Sequence, residues 1–125
     1  MNNNLSKRLD TKYRGRFAPS PSGLLHFGSL VTALASFLDA RKNNGTWLVR
    51  IEDLDPPREI AGASSLIIQT LEAYGFEWDD DIVYQSQRHD IYQSQINQWI
   101  NKGDAYFCQC TRKQIKEDGG FYLGH

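Results

Sequence analysis

Arg16-Phe-Ala-Pro-Ser-Pro-Ser-Gly-Leu-Leu-His-Phe-Gly-Ser29 is the run that decides the fold of this chain. The preceding Arg14–Ala18 stretch reads as a short strand, and Pro19, Pro21 and Gly23 break it into a turn. His26-x-Gly28 then falls at the start of a helix. A helix N-terminus presents unpaired backbone N–H groups and a partial positive charge, so it is a ready anion site. A histidine and a close-approach glycine at that place point to a nucleoside triphosphate.

Working outward, Leu30, Leu34, Phe37 and Leu38 recur at i, i+4, i+7 and i+8 and predict the apolar face of a helix running to about Lys42. Gly45 is the expected helix stop. Thr46–Glu52 reads as a mostly buried strand, rich in branched and aromatic side chains. Strand, helix and strand with short joints make a βαβ unit, so the fold class is α/β with a parallel nucleotide-binding half-sheet. Asp53-Leu-Asp-Pro-Pro-Arg58 is a turn, with Asp53 and Asp55 expected to cap the next helix. Ile60, Ala63, Ile67, Leu71 and Tyr74 trace that helix, closed by Gly75. An apolar pair follows at Ile82 and Val83, and a third helix should carry Tyr92, Ile96, Trp99 and Ile100 inward and stop at Gly103. Ala105–Cys108 reads as a brief strand and Gly119-Gly120 as a turn. The expected organisation is a flexible N-terminal arm (1–12), a nucleotide- and substrate-binding half-domain (13–104) and a cysteine-bearing insertion (105–125).

The chain has 125 residues, 40% of them apolar and 23% charged, with a net charge of -1. That balance fits a single globular domain and gives no charge-based case for membrane or nucleic-acid binding. No apolar run approaches membrane-spanning length, so cytoplasm is the expected location and no membrane partner is expected. Charge is uneven, however. Lys7, Arg8, Lys12, Arg14 and Arg16 against Asp10 give the first sixteen residues a local +4. Glu59, Glu72, Glu77, Asp79, Asp80 and Asp81 stand without a Lys or Arg between 59 and 87. Both runs read as solvated faces, and the basic one could also help draw in an anionic substrate or tRNA.

Two phosphate motifs are excluded. Gly23-x-x-x-x-Gly28 has P-loop glycine spacing, but Ser29 stands where the phosphate-binding lysine is required. Glu52 could mimic a ribose-binding acid, yet no G-x-G-x-x-G joins the first strand to its helix. An adenylate-forming site survives. A carboxylate attacks the α-phosphorus of ATP there, and the developing charge needs fixed donors such as the His26 imidazole and helix N–H groups. Gly28 would let adenine or ribose approach the backbone with no Cβ in the way.

The Arg16–Ser29 run resembles the His-Ile-Gly-His region of the class I glutamyl-type aminoacyl-tRNA synthetases, with Ser29 at the final position. Arg50-Ile-Glu-Asp-Leu-Asp-Pro-Pro-Arg-Glu59 and Tyr84-Gln-Ser-Gln-Arg88 extend the likeness. The Asp-Pro-Pro-Arg-Glu form is similar to the branch of that family that transfers glutamate to the queuosine base of tRNA(Asp). Similarity runs from about Tyr13 to the last residue.

The resemblance implies a Rossmann-like class I fold and roles for particular residues. Arg16 would pair with a carboxylate of bound L-glutamate, with Phe17, Ala18, Pro19 and Ser20 lining the same pocket and Glu52 accepting the α-ammonium. Pro19, Ser22, Gly23, His26, Gly28 and Ser29 would bind ATP, with His26 and Gly28 at the reacting centre. It also implies a zinc ion on Cys108, Cys110 and Tyr122, which follows Cys110 by twelve positions; the pattern's last cysteine would fall just after His125. On spacing alone, Cys-x-Cys is a weak metal signal beside two buried thiols. A Lys-Met-Ser-Lys-Ser-type loop and the second half of the family's sheet are not among these residues, so little adenylation by this chain alone is expected. Part of an ordinary glutamyl-tRNA synthetase, or a non-catalytic glutamate- or nucleotide-binding module, fits the same residues.

Overall fold

The computed structural model describes residues 12–117, 119 and 120. The expected arm falls almost wholly outside the described residues, and Tyr122 and His125 lie outside them too. Two compact units divide the chain, the first ending at Arg88 and the second beginning at His89. In the first, β1 (Arg14–Phe17), α1 (Phe27–Lys42) and β2 (Thr46–Ile51) lead through a 3₁₀ turn at Pro56–Arg58 to α2 (Ala63–Ala73) and β3 (Val83–Tyr84). The three strands are parallel in the order β1-β2-β3, with Arg14 opposite Thr46, Phe17 opposite Val49 and Ile51 opposite Tyr84.

Close approach of α1 to the strands sets the core. A Cβ on buried Gly15 would stand 3.0 Å from Ala40 Cβ, 3.1 Å from the Ser36 carbonyl and 3.2 Å from Trp47 Cδ1. Small residues therefore face the sheet here. The buried side of α1 is Ala33 and Ala40, flanked by half-buried Leu30 and Phe37, whereas Leu34 and Leu38 of the expected apolar face are 47% and 55% exposed. Trp47 fills the space the alanines leave. Phe37 meets it edge-on at 5.3 Å, Phe76 stacks on it at 5.5 Å, and its Nε1 donates to Ser36 Oγ at 2.9 Å. Val49 and Ile51 continue the buried face of β2, and Ile67 and Leu71 of α2 cover it.

Helix ends follow a shared device. Asn44 takes the left-handed conformation after α1 (φ 50), Asn44 N–H donates to the Arg41 carbonyl and Gly45 N–H to that of Ala40. This is a Schellman ending with asparagine in the glycine place. Gly45, the expected stop, is required for a different reason. A Cβ there would collide with the Tyr13 carbonyl, which accepts from Thr46 N–H at 2.9 Å as β1 and β2 begin to pair. Gly75 (φ 78) closes α2 as expected, with Phe76 N–H on the Leu71 carbonyl. Because α2 starts only at Ala63 and stops at Ala73, Ile60 and Tyr74 lie beyond its ends and are exposed.

The second unit holds α3 (His89–Lys102) and α4 (Arg112–Glu117). Gly103 (φ 79) ends α3 as expected, and Gly119 and Gly120 form the expected turn. The inward face assigned to α3 is realised only in part, with Tyr92 and Ile100 half-buried. Ile96 and Trp99 are exposed and no residue of α3 is buried, since a unit of this size has too little chain to enclose a core. Ala105–Cys108 is irregular rather than the expected strand. No helix among the described residues is long and apolar enough to cross a membrane.

One member of the acidic run is structural. Asp79 Oδ2 accepts from Arg41 Nη1 and from Trp47 N–H, both at 2.7 Å, and Asp79 N–H returns to the Trp47 carbonyl at 2.8 Å. The Trp47 amide and the Arg41 guanidinium hold the Asp79 carboxyl below its usual range. A lowered carboxyl adds stability above the unfolded value near pH ~4 and loses it as pH falls through the folded value. Both ionic side chains are 36% exposed, so solvent screens their attraction and the Trp47 amide left without an acceptor dominates the cost of removal. Asp79→Ala should lower stability at pH 7 by about 1–2 kcal/mol. The gap to the parent should narrow below roughly pH 4. Thermal melts across pH check this; equal melting temperatures at pH 7 would contradict it.

Candidate functional site

Beyond β1 the chain turns through Pro19, Pro21 and Gly23 and enters α1 with His26 as the N-cap (φ -105, ψ 173). Its carbonyl accepts from Leu30 N–H at 3.1 Å and its Nδ1 from Ser29 N–H at 3.3 Å. An imidazole accepting at Nδ1 carries its proton on Nε2, so the cap leaves an N–H donor at the outer nitrogen. The first-turn amides of Phe27 and Gly28 have no intrahelical acceptor. Three donors thus gather at the mouth of α1. Gly28 owes its place first to the histidine: a Cβ there would lie 3.1 Å from His26 Cε1 and 3.2 Å from Nδ1.

A cleft of about 510 Å³ opens over this helix start. Phe17, Pro19, Ser20, Ser22, Gly23, His26, Gly28 and Ser29 line it, which brings together every residue assigned to ATP. Leu24, Leu25 and Thr32 also line it. Thr32 donates to the Gly28 carbonyl at 3.0 Å, and its signal in the sequence is its place one helical turn after Gly28. Ala18 and Arg16 are not among the lining residues. Arg16 alternates with buried Gly15 and Phe17, so it is exposed, and it has no ion-pair partner among the described residues.

Ser20 and Ser22 also wall a second cavity of about 130 Å³, completed by Pro21, Glu52, Asp55, Arg58 and Glu59. Two backbone bonds hold the shared wall, Glu52 N–H to the Pro19 carbonyl at 2.9 Å and Ile60 N–H to the Pro21 carbonyl at 3.0 Å. Glu52 Oε1 pairs with Arg50 Nη2, whose Nε is buried without an acceptor. Glu52 Oε2 takes no hydrogen bond among the described residues. Three carboxylates against one arginine, itself paired with Asp55, make the small cavity suited to a cationic group.

The capping role expected of Asp53 and Asp55 is not what the side chains do. Asp55 stands at the N-cap of the Pro56–Arg58 turn but makes no side-chain cap bond, because Arg58 takes its carboxylate. Asp53 reaches away from the turn. Its Oδ1 accepts from Ser86 N–H at 2.9 Å and its Oδ2 from Ser86 Oγ at 2.6 Å. Partial burial pushes this carboxyl up, but the Ser86 hydroxyl and amide outweigh that and hold it below its usual range. Sequence reasoning does not reach Asp55, Arg58 and Glu59 as pocket residues, since composition gives no sign that a turn doubles back on the proline wall.

In the second unit, Cys110 N–H donates to Cys108 Sγ at 3.3 Å. No group of three or more His, Cys, Asp or Glu able to hold a metal occurs among the described residues.

The family model for tRNA synthetases class I (E and Q), catalytic domain, matches residues 12–120. The chain belongs to this family. A protein of Photobacterium profundum named glutamyl-Q tRNA(Asp) synthetase is 67% identical over 121 residues, which is 97% of this chain and 39% of that protein. Its namesake in Vibrio parahaemolyticus is 67% identical over 90% of this chain and 38% of its own length. The chain therefore spans about two fifths of the curated relatives it matches. Among solved structures, the glutamate-tRNA synthetase of Elizabethkingia anophelis superposes with a TM-score of 0.73 at 33% identity, over 86% of this chain and 23% of that one. The class I α/β reading of the sheet and its first helix accordingly holds.

Seating of the His26 ring against Gly28 is directly testable. Gly28→Ala should leave thermal stability unchanged or raise it by up to about 1 kcal/mol, as alanine favours a helix. The same change should displace the imidazole and abolish its bond to the Ser29 amide, read as altered ¹⁵N shifts of His26 and Ser29. Unaltered shifts would show that the ring does not depend on the missing Cβ.

Proposed function

We propose that this chain carries the glutamate- and ATP-binding half of an enzyme that activates L-glutamate as glutamyl-adenylate and transfers it to the queuosine of tRNA(Asp). The observation behind this reading is the pair of cavities sharing the Ser20–Ser22 wall, a larger one over a histidine-capped helix start and a smaller acidic one. Triphosphate fits the first, where the His26 Nε2–H and the α1 amides donate to anionic oxygens. The α-ammonium of glutamate fits the second, facing Glu52, while Arg16 holds a substrate carboxylate with its planar fork. In the reaction a glutamate carboxylate oxygen attacks the α-phosphorus, the new C–O–P linkage forms, and the bond to pyrophosphate breaks. Charge growing on the phosphoryl oxygens is met by donors already in place. The acceptor assignment rests on the names of the relatives and on the Asp-Pro-Pro-Arg-Glu form of the second motif. Cytoplasm, which holds ATP and tRNA together, is the proposed setting.

A second reading, a glutamate-tRNA synthetase acting at a tRNA 3′ end, is favoured by the likeness to the Elizabethkingia enzyme. Incorporation of labelled glutamate into tRNA(Asp) rather than tRNA(Glu) separates the two. For the pockets themselves, calorimetry with glutamate and a non-hydrolysable ATP analogue is the test. Arg16→Ala and Glu52→Gln should each weaken glutamate binding by about tenfold or more. Neither should change binding of the ATP analogue, and His26→Ala should show the opposite pattern. Glutamate affinity untouched by both substitutions would overturn the assignment. Glutamate-dependent ATP–pyrophosphate exchange then reads the chemical step, and little of it is expected from these 125 residues by themselves.

Zinc is the other group that the resemblance implies, and Cys108 and Cys110 would hold it, with Tyr122 outside the described residues. When bound in such sites zinc is structural, and a closed site takes four ligands. The described residues supply two thiols and so do not complete one. No step of the activation depends on it. The purified chain, dialysed against a chelator, should retain well under one equivalent of zinc by atomic absorption; a full equivalent would show that further ligands close the site.

A further inference from the structure

We infer that Asp53 is a positioning residue for the small acidic pocket, fixing the backbone of Glu52 through its two-point grip on Ser86. This rests on the reading of that pocket as the amino-acid site. Regular pairing of β2 stops at Ile51, opposite Tyr84. Glu52 is thus the first residue past the sheet, where the backbone would otherwise be free to swing. Three hydrogen bonds confine it. On one side Glu52 N–H reaches the Pro19 carbonyl, and on the other both oxygens of the next residue, Asp53, are taken by the amide and hydroxyl of Ser86. Ser86 lies two residues beyond β3, so the grip carries the β2–β3 association past the last ladder pair.

The chemistry suits a clamp. A carboxylate accepting from both an O–H and an N–H of one residue is held in distance and in rotation, and charge-assisted bonds of this kind are the strong ones. Asp53 itself does not line either cavity, so its effect on a ligand runs through Glu52. Small displacements at such a group matter, because binding and catalytic geometry tolerates errors well under an ångström.

Two independent readouts test this on the 125-residue chain. Asp53→Ala should speed hydrogen exchange at the Glu52 and Ser86 amides by about tenfold or more, with the Trp47 amide unchanged. It should also weaken glutamate binding by about tenfold and leave the ATP analogue unaffected. Asp53→Asn keeps an acceptor for the Ser86 amide and replaces the acceptor for the Ser86 hydroxyl by an N–H donor, from which that hydroxyl oxygen can accept, so it should stay within about threefold of the parent in both. Ser86→Ala keeps the amide and should fall between. Combining it with Asp53→Ala should add nothing, as expected of partners in one interaction. Glu52 exchange and glutamate affinity both unchanged in Asp53→Ala would overturn the inference. If the parent chain binds no glutamate, the pocket reading fails by itself, and Glu52 exchange still decides whether the grip exists. Exchange that rises everywhere in Asp53→Ala, with Asp53→Asn no better, would mean a general folding role and would also overturn it.

Discussion

Parallel pairing of β1 with β2 is the constraint from which the site follows. With Phe17 opposite Val49, the chain leaves both strands at the same, carboxyl end of the sheet, and open α/β sheets bind ligands at that end. The two segments that leave there are the Pro-Ser-Pro-Ser turn and the Glu52–Arg58 loop, which no local sequence signal connects. Two backbone bonds join the turn to this loop and its exit, Glu52 N–H to the Pro19 carbonyl and Ile60 N–H to the Pro21 carbonyl. Prolines suit the turn for a physical reason: they fix φ and remove donors, so the carbonyls of Pro19 and Pro21 are left as acceptors for the neighbouring loop. Both are used.

That geometry sorts charge. Donors collect on one side of the Ser20–Ser22 wall, where the N-terminus of α1 and the His26 Nε2–H face the larger cleft. Acceptors collect on the other, where Glu52, Asp55 and Glu59 face the smaller one. On the proposed function, the donor side would answer a polyphosphate and the acceptor side a cationic group. Arg50 occupies one oxygen of Glu52 on the acidic side.

Much of this was legible in the residues. His26 at a helix start, the strand on either side of α1, and the clustering of Pro19, Ser22, Gly23, Gly28 and Ser29 all follow from local rules that glycine, proline and N-cap chemistry impose. What was not legible depends on distances between elements. Leu34 and Leu38 carry a regular apolar period, yet α1 turns Ala33 and Ala40 inward because Gly15 brings the strand too close for leucine. Gly45 looked like a helix stop, whereas the steric demand comes from the Tyr13 carbonyl one strand away. Likewise the inward face of α3 needed a core to pack on, and periodicity says nothing about whether one exists.

The Arg50–Glu59 segment shows how a short motif can hold itself in shape. Ile51 is fully buried and anchors the strand end, while Arg50 and Glu52, two apart on an extended chain, share a face and pair with each other. Asp53 then points to the opposite side and finds Ser86. Asp55 and Arg58 close the proline turn on themselves. Glu52, Asp53 and Asp55 are thereby each given a different partner by the course of the backbone. Removing any one of the three carboxylates would leave Arg50, Ser86 or Arg58 without its acceptor, and this explains why a run that resembles an acidic surface in composition acts as a scaffold in three dimensions.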